Sequence, residues 1–178
     1  MCGILGFQGR FDPSALQEGL ACIAHRGPDD GGTFVDAAAQ VGLGHARLSI
    51  IDLSPLGHQP MASDDGRVQL VFNGEIYNYR ELRAELESRG HRFRGHSDTE
   101  VLLHMYLEHG TTMLPRLNGI FGFALWDARS GAMLLVRDAL GVKPVYVAQT
   151  ERGVAFGSEL KGLLKLAPEA REMDPAAL

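Results

Sequence analysis

An apolar run, Ile4-Leu5-Gly6-Phe7, begins two residues after a cysteine at position two, and this constrains the chain more than any other stretch. A strand that starts so early fixes the N-terminus in a sheet instead of leaving it to fray. If Met1 is removed, which the small side chain of Cys2 permits, the first residue carries both a thiol and a free α-amine. The thiol ordinarily titrates near about 8.5 and the amine near about 7.7 to 8, so at neutral pH the amine can take the thiol proton. Taken alone, Cys2 is either such a nucleophile or an inert second residue.

The 178 residues suffice for one domain with its own core. Composition is ordinary for a globular protein, at 45% apolar and 22% charged. The formal charge of -5 and the lack of a basic run argue against nucleic acid as a partner. No apolar stretch of about 18 residues suggests a membrane span, and no signal-peptide pattern precedes Cys2, so the cytosol is the expected compartment. Two cysteines, Cys2 and Cys22, make no disulfide framework. Cys22 lies in an apolar helical pattern and reads as a buried small hydrophobe. The histidines are scattered, and no metal site is expected.

Along the chain, Asp12-Pro13 reads as a helix start, with Leu16, Leu20 and Ile23 as its buried stripe. The turn-rich stretch from His25 through Arg26, Gly27 and Pro28 to Gly32 is either a plain connection or a loop that folds over a site. Residues 33–35 and 41–51 read as strands. Within the second, Arg47 stands among apolar neighbours and suits either capture of a carboxylate or an ion pair with a nearby aspartate. A strand at 68–72 runs into Asn73-Gly74-Glu75. Asn-Gly is either a tight turn or, set between strand and helix, a donor pair for a developing negative charge. Asn78 with Glu81, and Ser97 with Glu100, look like capping boxes of two helices. The spacing favours Ser97 as cap, with Asp98 in the first turn, where it either stabilises the helix or binds an ammonium group. The remainder reads as a meander of strands at 119–126, 133–137, 145–148 and 154–156, then a helix from Ser158 through Leu166. Strands and helices without βαβ alternation indicate an α+β domain of antiparallel sheets, and no phosphate-binding glycine loop is present.

The order of Met1-Cys2-Gly3-Ile4, His25-Arg26-Gly27-Pro28-Asp29, His45 to Asp52, Phe72 to Asn78, Ser97 to Glu100, Arg137-Asp138 with Gly141-Val142-Lys143-Pro144, and Ser158 to Lys161 resembles a known family. It is that of the class II glutamine amidotransferase domains among the N-terminal-nucleophile hydrolases, specifically the glutaminase half of asparagine synthetase-like enzymes. The resemblance implies a four-layer αββα sandwich and hydrolysis of the glutamine side-chain amide through a Cys2 γ-glutamyl thioester. It assigns the oxyanion hole to Asn73 and Gly74, the α-carboxylate of glutamine to Arg47, and the α-amine to Asp98 with Glu75. It has Leu48, Ser49, Ile50 and Ile51 line the pocket and Arg26, Gly27 and Pro28 close over it. Ala139 and Val147 depart from the usual pattern, outside the glutamine pocket. By the same resemblance residues 1–166 form the glutaminase domain. Residues 167–178, with a helix start at Asp174-Pro175, begin a linker to an ATP- and Mg-dependent synthetase domain absent from this chain. The implied partners are glutamine and that domain; a homodimer is compatible, and the domain itself needs no cofactor. The same glutaminase could serve a peptide or sugar acceptor, or the chain could be a non-catalytic interaction module.

Overall fold

The computed structural model describes residues 1–172; the expected helix start at Asp174-Pro175 lies outside them. Strand β1 (Gly3–Gly9) is central in a five-stranded sheet with β2 (Asp30–Asp36), β3 (Val41–Arg47), β8 (Tyr146–Thr150) and β9 (Gly153–Gly157), in the order β2-β3-β1-β9-β8. A second sheet has the order β4-β5-β6-β7, from β4 (Met61–Ala62), β5 (Val68–Ile76), β6 (Gly119–Asp127) and β7 (Ala132–Arg137). Every pairing between these strands is antiparallel.

Because successive strand residues point to opposite faces, each sheet can serve two cores. On β1, Ile4 joins Val71, Ala124, Trp126 and Phe156 between the sheets, while Leu5 and Phe7 face outward. There they meet Leu16 and Ile23 at helix α1 (Pro13–Cys22) and Leu163 and Leu166 of α4 (Leu160–Leu166). On the other side, Leu70, Phe72, Phe123 and Leu125 pack under Leu82 and Leu86 of α2 (Tyr79–Ser88) and Val101, Leu102 and Met105 of α3 (Asp98–His109). The layers are therefore α1/α4, sheet, sheet, α2/α3, the αββα arrangement that the resemblance implies.

Local signals hold where the partner is local. Asp12 caps α1 by accepting from Ser14 N–H at 2.8 Å, and Ser97 caps α3 by accepting from Glu100 N–H at 3.2 Å. Other expectations are corrected. The strand at 41–51 stops at Arg47, because β1 offers no residue to pair beyond Gly3 and β2 none before Asp30. Asn73-Gly74 is neither a turn nor a strand–helix junction; it lies inside β5, paired with Gly122 and Phe121 of β6. Asn78 makes no side-chain cap for α2, since its amide is taken by Arg116 O and Asn118 N–H. The final helix starts at Leu160, and the Ser158 hydroxyl instead accepts from Ile4 N–H at 3.0 Å. The meander is broken: β6 and β7 form a hairpin, but the loop after Arg137 carries the chain into the other sheet, where β8 and β9 pair. Cys22 is half-buried, not a core residue. After α4, Ala167 is buried and Glu169 pairs with Arg152 at 2.6 Å.

Candidate active site

Cys2 sits immediately before β1, held by Arg26 and by the backbone of Leu48. Arg26 Nε donates to the Cys2 carbonyl at 2.9 Å, and Arg26 Nη1 donates to Glu159 at 2.9 Å. Burial works to raise the Glu159 carboxyl, but hydrogen bonds from Arg26, Lys161 and His25 outweigh it and hold the group low and ionised. The Cys2 thiol lies 3.3 Å from Leu48 N–H and 3.5 Å from Leu48 O. Burial pushes this thiol up, opposed by the Leu48 N–H and by the charge of Arg47.

A cavity of about 110 Å³ opens beside the thiol, lined among others by Arg47, Asn73, Gly74 and Asp98. Leu48, Ser49, Ile50, Ile51 and Glu75 line it as well, so the structure brings these separate motifs together. Arg26, Gly27 and Pro28 are not among the residues lining it; Arg26 holds the Cys2 carbonyl, and Gly27 packs against the backbone of Ala46 and Arg47.

Arg47, at the end of β3, is buried; its guanidinium donates to Ser54 O at 3.1 Å and to Asp52 O, and lies 3.7 Å from Asp30. The nearby aspartate of the sequence reading is Asp30, and Arg47 also lines the cavity. Asn73 is 1% exposed, and its Nδ2 is a buried donor without a partner among the described residues. Such a group costs about 1–3 kcal/mol of desolvation unless something fills its place. Phe72 N–H donates to Gln59 Oε1 at 2.7 Å and Ile76 N–H to Asp98 Oδ2 at 3.0 Å, both away from β6. By the two-residue period of a strand, Gly74 N–H also points away from β6, and Gly74 lines the cavity. Asp98 is 5% exposed and pushed up to about 6, first by burial, against the N–H groups that favour its charged form.

A model described as the glutamine amidotransferase domain matches residues 1–178. The chain belongs to that family. Asparagine synthetase [glutamine-hydrolyzing] 3 of Bacillus subtilis is 40% identical to this amidotransferase domain over 172 residues, which are 92% of this chain and 27% of that protein. The corresponding synthetase of Sandersonia aurantiaca is 43% identical over 169 residues, 92% of this chain and 31% of that one. A putative asparagine synthetase of Mycobacterium tuberculosis is 42% identical over 184 residues, covering 93% and 28%. The domain thus spans less than a third of the length of these relatives. In fold it matches the glutamine phosphoribosylpyrophosphate amidotransferase of B. subtilis, solved with ADP and GMP, at a TM-score of 0.77 and 21% identity over 94% of this chain and 44% of that one.

The amidotransferase site also contains residues that motif reading passed over. Gln59 is buried, with its amide spent on Phe72 N–H and, at 3.2 Å, on the Thr99 hydroxyl, so it ties β5 to α3. His45 reaches from β3 across to the other sheet, its Nε2 3.0 Å from Phe72 O. Burial first, then Arg47, lower it to about 4, so the ring is neutral and Nε2–H donates. These two side chains hold the backbone next to Asn73 where β4 has already ended. Gly57 packs face-on against Arg47: a Cβ there would lie 2.1 Å from Nη2. Gly57→Ala is therefore expected to displace the guanidinium and lower kcat/KM for an amino-acid substrate by about 10- to 100-fold. Steady-state kinetics check this, and an unchanged value would remove Arg47 from substrate binding.

Proposed function

We propose that this domain hydrolyses the side-chain amide of glutamine, with Cys2 as nucleophile once Met1 has been removed. The Cys2 amine takes the thiol proton, and Sγ attacks the amide carbon. Charge gathers on the amide oxygen, which accepts hydrogen bonds from Asn73 Nδ2 and Gly74 N–H. The protonated amine then passes its proton to the departing nitrogen. Ammonia leaves and a γ-glutamyl thioester remains. Water, deprotonated by the same amine, attacks the thioester, and glutamate is released as the thiol is restored. Arg47 takes the α-carboxylate of glutamine, and Asp98 with Glu75 takes its α-ammonium. Residues 48–51 wall the pocket, and the loop Arg26-Gly27-Pro28, anchored by Arg26 on the Cys2 carbonyl, closes over the substrate.

The observation that carries this reading is the buried, unpartnered amide donor of Asn73 in the cavity that holds Cys2. An inert module has no reason to retain it, because filling the place with an apolar side chain would remove the cost. A nucleophile, a carboxylate site, an ammonium site and an oxyanion site are what an amino-acid amidase requires.

The relatives are named as glutamine-hydrolysing asparagine synthetases, and most of their length lies beyond the part matched here. We therefore propose that the ammonia serves a synthetase domain that uses ATP and Mg, in the cytosol, with aspartate as acceptor. A peptide or sugar intermediate is the alternative acceptor, and a non-catalytic interaction module the alternative role. The test is release of glutamate and ammonia from glutamine, without ATP, by protein whose first residue is Cys2. Release that disappears in Cys2→Ala supports the reading; equal release from the variant, or none from the processed protein, overturns it.

A further inference from the structure

The stretch Arg137-Asp138 to Lys143-Pro144 matches the family pattern yet takes no part in the steps above. The loop is shaped around one carboxylate. Asp138 is buried and accepts from Leu140 N–H at 3.1 Å, Val142 N–H at 2.9 Å, Lys143 N–H at 3.0 Å and Phe121 N–H at 3.2 Å. Burial works to raise this carboxyl, but the four N–H groups outweigh it and hold it low. Gly141 takes φ +64°, where its carbonyl receives Arg137 Nη2 at 2.6 Å. What this framework delivers is Lys143, which is 8% exposed and lines the same cavity as Cys2.

A lysine so buried is ordinarily paired, but no ion pair among the described residues includes Lys143. Its ammonium instead lies 3.0 Å from the Met1 sulfur, a weak acceptor. Removal of Met1 takes that contact away and creates the α-amine of Cys2 in the same cavity. The other charged groups lining the cavity are engaged or assigned. Asp52 accepts from His96 N–H and from Ser54, and Arg47 is held by the Ser54 and Asp52 carbonyls. Asp98 accepts from Ile76 N–H, and with Glu75 it meets the substrate ammonium in the reading above.

We infer that Lys143 is a positioning residue for the nucleophile: its ammonium, freed of Met1, faces the Cys2 amine and keeps that amine in its free-base form at neutral pH. The inference rests on Cys2 being the nucleophile. The thiol and amine titrate as a pair, and the reactive form carries one proton between them. A nearby cation makes the first proton easier to lose whichever atom holds it, so Lys143 sets the acidic limb of the rate profile.

The experiment is kcat/KM for glutamine hydrolysis against pH in the processed full chain, with Lys143→Met and Lys143→Arg beside it. In Lys143→Met the acidic limb moves by about one unit to higher pH, while the rate on the alkaline plateau recovers. Lys143→Arg keeps the wild-type limb. A Lys143→Met enzyme that is slower at every pH with an unmoved limb has lost only a structural contact, and the inference is then wrong. The pH dependence of Cys2 alkylation by iodoacetamide reads the same limb without turnover, and Lys143→Gln replaces the methionine variant if that one does not fold. If the wild type shows no Cys2-dependent hydrolysis, the catalytic reading has failed and the role of Lys143 falls with it; an unmoved limb in an active wild-type background overturns the role of Lys143 alone.

Discussion

Asn73→Ala lowers kcat for glutamine hydrolysis by about 10²- to 10³-fold and leaves KM nearly unchanged. The split follows from the geometry. Asn73 Nδ2 has no partner among the described residues, so it is free for the oxygen that becomes charged during the reaction. Removing a group that acts in the transition state lowers the rate of the chemical step without weakening ground-state binding. Stability should change little or improve, because a buried orphan donor is removed along with the side chain. A large rise in KM with kcat preserved would instead make Asn73 a ground-state contact.

Asp98→Asn separates stability from function. The Asp98 carboxyl is lifted from the ordinary 3.8 to about 6, chiefly by burial, so the folded protein holds this proton more tightly than the unfolded chain. Below about pH 4 both states are protonated and ionisation costs the fold nothing. Between the two values the cost grows, and above about pH 6 it reaches roughly 3 kcal/mol. The asparagine can still accept from Ile76 N–H, so the variant should gain about that much stability at pH 8 and almost none at pH 4 in denaturant titrations. It should also raise KM for glutamine by about 10- to 100-fold, since the substrate ammonium loses a charged acceptor. A destabilised variant at pH 8 would mean that Asp98 is matched by a cation within the fold.

The residues legible in the sequence are those whose meaning is carried by near neighbours or by a motif. The Asp12 and Ser97 caps need only the next two or three N–H groups, and both formed as expected. Cys2, Arg47, Asn73 and Asp98 were each recognisable within short motifs, although only the fold shows that they share one cavity. The contacts of Gln59, His45 and Lys143 escaped because their partners lie 13, 27 and 142 residues away, although His45 and Lys143 stand within motifs that carry the resemblance. Asn73-Gly74 misled because a strong turn signal is overridden when β6 pairs with β5 through Ile76. The crossing after Arg137 was hidden for a related reason. A short apolar run does not state which sheet it joins, and the Asp138-centred loop that redirects the chain resembles any hairpin turn.

Intact-mass analysis of the purified protein before and after diazo-oxo-norleucine, a glutamine-like electrophile, decides whether Cys2 is the nucleophile of a glutamine site. The expected result is a chain that has lost Met1 and gains one adduct, with no adduct in Cys2→Ala. A processed chain that stays unlabelled, or an adduct that persists in Cys2→Ala, would contradict it.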